Sequence, residues 1–254
     1  MEATTVSDGV TTFRIDRPER RNALDAATLE ALLDALRGAE RRGDAALVVT
    51  GGPVHFSSGG DVSSMPTAAD GLQGAAGRLR LVHEVIQAFT GSDVLVVAAV
   101  EGYAIGAAWG VVLACDLVVA ADDAWFAAPF AARGLAADAS TAYHLPRRLG
   151  HQRAARHLYL GERLTAPDAH AAGLVSHLSP AGLATDTAAE LAGRLAGGAR
   201  ETNALTKSLA TRGRTGELAD FLTAERTAVA LAGHGAESRE GRAAFLERRE
   251  PSFR

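Results

Sequence analysis

The stretch from Val94 to Ala121, VLVVAAVEGYAIGAAWGVVLACDLVVAA, limits what this chain can become. A β-branched apolar run, Val94 to Val100, meets a break at Glu101-Gly102. A segment of small apolar residues follows, then a second β-branched run, Leu117 to Val119. The pattern reads as buried strand, turn, buried helix and buried strand. The helix is expected to open near Gly106. Backbone N–H groups around Gly106, Ala107 and Ala108 then lack intrahelical partners and lie at the positive end of the helix dipole. Such a point holds an anion, or an oxygen that becomes one during reaction. Glu101 and Asp116 bracket only Gly102 to Cys115, short of the ~20 apolar residues that a membrane span needs. The glycines at 102, 106 and 110 are read as points where a helix approaches a strand, and no membrane association is expected.

The chain has 254 residues, 47% of them hydrophobic and 22% charged, enough for one large globular unit or a unit with an appendage. Its net charge of -4 offers no basic face, so nucleic acid is not expected as a partner. The single cysteine, Cys115, has no internal disulfide partner, and the MEATTVSDGV start shows no leader pattern. A reducing, cytoplasmic setting is therefore expected. The eight histidines show no metal-ligand spacing, so no metal site is expected. Neither GxSxG nor GxGxxG occurs, which leaves serine-hydrolase and dinucleotide-binding readings unsupported.

Taken in order, Val10 to Asp16 predicts a strand. Asp25 predicts the cap of a helix whose stripe is Leu29, Leu32, Leu33 and Leu36, with Leu24 and Leu29 spaced as a hydrophobic staple. Ala45 to Thr50 predicts a buried strand, followed by the Gly/Ser-rich loop from His55 to Val62. Asp70 to Phe89 predicts a helix with Leu79, Val82, Val85, Ile86 and Phe89 on one side. After the central stretch come a short strand at Trp125-Phe126-Ala127 and helices near Ala139 to Leu149 and on to Leu160. A last strand is predicted at Gly173 to Leu178, and helices only beyond Gly182. The fold class is α/β with a helical C-terminal part.

Several stretches, in order along nearly the whole chain, resemble the enoyl-CoA hydratase/isomerase, or crotonase, superfamily. They are Arg17-Pro18-Glu19 with Asn22-Ala23-Leu24, the loop from His55 to Val62, Val100 to Ala108, and Cys115-Asp116-Leu117. Leu145-Pro146-Arg147 with Gly150, Ala171 to Val175, and Phe245 to Arg249 with Pro251 and Phe253 complete the set. The resemblance implies a spiral of ββα units over residues 1–195 and a helical oligomerisation region over 196–254. It implies a homotrimer or homohexamer acting on an acyl-CoA thioester, with coenzyme A as part of the substrate and no separate cofactor.

Carried over by motif, the resemblance implies an oxyanion hole formed by the amides of Gly60 and Ala107. It implies substrate contacts from Arg21, Ala23, Leu24, Ser58, Asp61, Val62, Trp109, Gly110 and Phe130. Phe245 and Arg248 match a pair that reaches a neighbouring subunit's CoA. The family usually has glycine where Ala107 and Ala108 stand. Its hydratases carry glutamates where this chain has Gly110 and Phe130, and hydration uses such a pair to activate water and protonate carbon. One carboxylate remains, Asp138, in a stretch similar to the loop of single-aspartate isomerases and of 4-chlorobenzoyl-CoA dehalogenase.

A single base above an enolate takes a proton from one carbon and returns it two carbons along, so isomerisation needs only Asp138 and the oxyanion site. Phe130 and Trp109 are expected to keep water from that carboxylate. The plainer reading makes Asp138 a cap for a helix starting at Ala139. His83 falls where the dehalogenase carries its water-activating histidine; its plainer reading is a solvated residue on an amphipathic helix. The alternatives to double-bond isomerisation are hydration, dehalogenase-like hydrolysis of an aryl-CoA, and a CoA-ester-binding protein without chemistry.

Overall fold

The computed structural model describes residues 3–61, 63, 71–214 and 216–253. The first half runs β1 (Ala3–Ser7), β2 (Val10–Arg14), α1 (Ala26–Arg42), β3 (Ala46–Thr50), α2 (Gly71–Gly91) and β4 (Leu95–Val100). Then come β5 (Tyr103–Ile105), α3 (Ala107–Ala114), β6 (Leu117–Ala121) and β7 (Trp125–Ala127). The remainder is α4 (Thr141–Leu149), α5 (His151–Leu160), β8 (Leu164–Thr165), α6 (Ala166–Ala171), β9 (His177–Ser179), α7 (Ala184–Ala196), α8 (Arg200–Gly213), α9 (Leu218–His234) and α10 (Ala236–Glu247).

Two sheets organise the chain. The larger has the order β1-β2-β3-β4-β6-β9 and is parallel except for the β1-β2 hairpin. The smaller has the order β5-β7-β8, and a bridge from Ser57 to Ala104 extends it. Each turn of the chain thus lays one strand in each sheet before a helix crosses back. Helices cover both faces of the larger sheet, which is why β3 is buried at all five positions. On one face Ala184, Ala188 and Ala192 of α7, four residues apart, pack against Val48, Val97 and Val119. Small side chains at that spacing let the helix lie close to the strands.

On the other face α3 is buried at all eight residues. A helix apolar on every side has no solvent face and must be enclosed; α2, α4 and β5 enclose it. The expected stripe of α1 is buried at Leu29, Leu32, Leu33 and Leu36, and Asp25 caps the helix by accepting from the Thr28 N–H at 2.9 Å. Among the described residues no helix is long and apolar enough to cross a membrane.

Two polar residues of the central stretch act as anchors. Glu101 is buried and accepts from the Gly182 and Ala184 N–H groups at 3.0 and 2.8 Å, fixing the start of α7. Asp116 pairs with the buried Lys207 Nζ at 2.7 Å, and that ammonium also donates to the Val94 carbonyl at 2.8 Å. This ties α8 to the sheet.

Some sequence expectations shift. The strand expected over Gly173 to Leu178 is shorter and later, at His177–Ser179, and the helix expected from Ala139 begins at Thr141. Ala139 and Ser140 take left-handed φ values of 48° and 60°, which an α-helix cannot include. Strands β1, β5 and β8 and helix α6 have no counterpart among the expected elements; each is six residues or fewer.

Candidate active site

The Gly60 turn is held by its neighbours' backbone. Leu24 N–H donates to the Gly59 carbonyl at 2.8 Å, Asp61 N–H to the Leu24 carbonyl at 3.0 Å, and Ser58 N–H to the Arg21 carbonyl at 3.0 Å. This parallel bridge between Leu24 and Gly60 uses the flanking groups. The Gly60 N–H is left without a hydrogen-bond partner among the described residues. Asn22 locks the arrangement: its Nδ2 donates to the Gly51 and His55 carbonyls at 2.7 and 3.1 Å, and its Oδ1 accepts from Arg17 N–H. Arg17 reaches both Asp61 and Asp25 at 3.1 Å, so the turn and the start of α1 share one cation. Gly59 has φ +98°, and a Cβ there would lie 2.6 Å from the Ile105 carbonyl oxygen and 3.6 Å from the Ala107 nitrogen. Only glycine lets the two amide-bearing segments approach this closely.

Ala107 is the first residue of α3, and its N–H has no partner among the described residues. The Gly106 N–H is not open as expected: it donates to the Ala127 carbonyl at 2.8 Å, part of the pairing of β5 with β7. The site therefore presents the amides of Gly60 and Ala107, not Gly106.

Two cavities, about 260 and 70 Å³, meet here. Gly60, Arg78, Ala107 and Asp138 line both. The larger also has Leu24, Asp25, Leu29, Asp61 and Val82; the smaller has Ser58, Ile105, Phe130, Arg133 and Leu135. The Asp138 side chain is 11% exposed and receives an N–H from Arg78 at 3.2 Å on Oδ2. Its Oδ1 is buried with no hydrogen-bond partner among the described residues. Burial pushes the Asp138 carboxyl above the usual range, while the Arg78 guanidinium and then His83 pull it back down.

Asp138 does not cap α4 with its side chain. Its carbonyl oxygen does so, accepting from the Thr141 N–H and Oγ1 at 3.0 and 2.7 Å, which frees the carboxylate to face the cavity. Gly110 explains how this loop sits so deep. A Cβ on Gly110 would collide with the Ala139 carbonyl oxygen and lie 2.8 Å from the Ala139 Cβ. The loop carrying Asp138 fills the space that a side chain at 110 would need.

Other expected site residues divide. Leu24, Ser58, Asp61 and Phe130 line the cavities. Hydrogen bonds from Ser63 hold the Asp61 carboxyl low against the opposing effect of burial, with Arg17 helping. Arg21 is exposed, and Ala23 is buried with its carbonyl bonded to Arg17 Nη1 at 2.6 Å. Trp109 lines neither cavity; it is 1% exposed and packs on Phe126 and His157 in the core. Gly110 likewise faces Ala139 and lines neither. Phe245 is 83% exposed and Arg248 is the C-cap of α10, and neither lines either cavity. His83 is exposed and lines neither, although it acts electrostatically on Asp138. Val62 lies outside the described residues.

Arg78 escaped the sequence reading, yet a signal was there. It stands four residues before Val82 on the stripe that continues to Val85 and Phe89, where a charge breaks an apolar pattern. Among the described residues no group of three or more His, Cys, Asp or Glu side chains gathers for a metal ion.

Paired backbone amides beside one buried carboxylate are an arrangement suited to stabilising a developing oxyanion. The family model for enoyl-CoA hydratase/isomerase matches residues 5–254, and the chain belongs to that family. A probable enoyl-CoA hydratase of Rhodobacter capsulatus is 35% identical over 98% of this chain and 95% of its own length. The 1,2-epoxyphenylacetyl-CoA isomerase of Escherichia coli is 32% identical, over 98% of this chain and 96% of its own. The crystal structure of an enoyl-CoA hydratase from Polaromonas sp. JS666 superposes with a TM-score of 0.94 at 32% identity, covering 100% of this chain and 99% of that one. The chain therefore has the crotonase fold.

Proposed function

We propose that this enzyme shifts a carbon-carbon double bond in an acyl-CoA thioester, 3-enoyl to 2-enoyl, with Asp138 as the proton shuttle. The observation that carries this reading is the Asp138 carboxylate lining the same two cavities as the Gly60 and Ala107 amides, which have no partner among the described residues. Gly110 supports it, because the seat of the Asp138 loop excludes a glutamate from that position.

The thioester oxygen accepts from the Gly60 and Ala107 N–H groups. Asp138 removes a proton from C2, and the electron pair moves onto the thioester oxygen as a dienolate. Two amides at hydrogen-bond distance stabilise that charge more than they stabilise the neutral carbonyl. Asp138 then returns the proton at C4 as the pair moves back, leaving the double bond between C2 and C3. Atoms balance without water, and no group is needed beyond the substrate's own CoA. Phe130, Ile105 and Leu135 give the smaller cavity an apolar wall beside the carboxylate.

The reading includes a homotrimer or homohexamer. It draws on Leu218, Leu222, Val229 and Leu231 of α9 and Phe245 and Leu246 of α10, all exposed. Light scattering that returns a monomer at working concentrations removes that part.

Asp138→Asn tests the chemistry. Turnover of a 3-enoyl-CoA and solvent-deuterium exchange at C2 and C4 collapse, while thioester binding persists. Exchange at the wild-type rate in the variant removes Asp138 from the reaction. Oxygen from labelled water appearing in product would instead establish hydration or hydrolysis.

A further inference from the structure

We propose that Arg78 is the positioning residue of the site: it holds Oδ2 of Asp138, so that Oδ1 is the atom that takes the proton and gives it back. The inference rests on the proton-shuttle reading and adds to it a residue and an atom.

Three observations carry it. Arg78 Nη2 donates to Asp138 Oδ2 at 3.2 Å, with only 24% of the arginine side chain exposed. Its Nη1 lies 4.0 Å from the point a Cβ on Gly60 would occupy, so one guanidinium spans from the oxyanion turn to the carboxylate. Oδ1 is buried without a hydrogen-bond partner among the described residues. An unpaired buried carboxylate oxygen is costly, and such groups persist where function uses them.

The two oxygens of a free carboxylate are equivalent. A cationic donor on Oδ2 lowers the basicity of that oxygen and fixes the plane of the group. The proton then goes to Oδ1: the C2–H bond breaks, Oδ1–H forms, and Oδ1–H breaks again as C4–H forms. Arg78 stays protonated throughout.

Other charges around the cavities are committed or turned away. On α2, Arg80 pairs with Glu84, and the exposed His83 adds to the pull of Arg78 on the Asp138 carboxyl without touching it. Asp25 and Asp61 share Arg17. Arg133, which also lines the smaller cavity, donates to the Pro129 carbonyl. The α3 residues are all apolar, and Thr141 at the start of α4 bonds the Asp138 backbone. Among the described residues Arg78 is the cation in contact with Asp138.

The test compares Arg78→Gln and Arg78→Lys with wild type in two measurements. One is kcat/KM against pH for a 3-enoyl-CoA. The other is the carboxyl titration of Asp138 by 13C NMR, assigned by its loss in Asp138→Asn. In Arg78→Gln the acid-limb midpoint and the titration both move up by about one pH unit or more, a tenfold change in proton affinity. Arg78→Lys keeps the charge but loses the planar fork, and moves both by less. If the glutamine variant does not fold, the lysine variant carries the same two readings. A uniform fall in kcat at every pH, with the Asp138 titration unmoved, overturns the inference and leaves the proton-shuttle reading standing. Wild-type turnover in Asp138→Asn overturns both.

Discussion

Gly110 on α3 and Ala139 in the loop before α4 are in backbone contact, so close that a methyl group on Gly110 would overlap the Ala139 carbonyl oxygen. Asp138, the residue before Ala139, owes its depth in the site to this contact. In the family's hydratases a glutamate is expected at the Gly110 position. Here the loop carrying Asp138 occupies the space that a side chain at position 110 would need. Gly110→Glu should therefore not restore hydration. The obstacle is backbone, held at left-handed Ala139 and Ser140, so Gly110→Ala alone should cost about 1–3 kcal/mol, and Gly110→Glu more. Urea denaturation with parallel turnover assays checks this; a stable Gly110→Glu enzyme that hydrates 2-enoyl-CoA would contradict it.

Asp138 carries a stability cost that its substitution exposes. Its carboxyl is raised in the folded state by burial, so folding disfavours the charged form. The sign follows: above the folded value the native state bears a penalty, and that penalty is relieved as pH falls through the folded value. Asp138→Asn, which is neutral at all pH, should be at least as stable as wild type at pH 7, with the difference closing towards pH 4. Thermal denaturation across that range reads it. A variant less stable at pH 7 than at pH 4, relative to wild type, would reverse the sign.

The raised carboxyl also places the acid limb of activity. Loss of kcat/KM on acidification should occur above the ordinary aspartate value of about 3.9, because the base must be ionised. A pH-rate profile flat down to pH 4 would deny Asp138 that duty.

Lys207 is the chain's single lysine, and its side chain is 4% exposed. Lys207→Met leaves Asp116 without its cation beside a buried backbone, and should cost about 3 kcal/mol. Adding Asp116→Asn should recover part of the loss. Denaturant midpoints for the two variants and the double variant give the coupling.

Asn22 closes three backbone groups around the Gly60 turn. Asn22→Ala should cost about 2–3 kcal/mol, leaving the Gly51 and His55 carbonyls unpaired. Because the same bonds hold the segment paired with Gly60, turnover should fall further than stability loss explains. Activity measured well below the melting temperature separates the two.

Asp25, Leu29, Leu32 and Leu36 announced α1, because capping and a 3.6-residue stripe are local properties. The uniform apolarity of Ala107 to Ala114 announced an enclosed helix for the same reason. Short elements such as β5 and β8 were not legible, since two or three residues hold a strand only when a partner is already in place. Trp109 shows the limit at the site: the family resemblance implied a substrate contact there and a residue keeping water from Asp138. Two helical steps of about 100° each instead turn its ring into Phe126 and His157.

The sequence by itself determined the apolar centre, the two glycine-bearing segments and the survival of one aspartate in the expected loop, because each is written in contiguous residues. Only the tertiary structure decided which amides stay open, that Arg78 meets Asp138 across 60 positions, and that Gly110 makes room for the loop between them. Those facts depend on distances between segments far apart in the chain, and on which donors other strands have already taken.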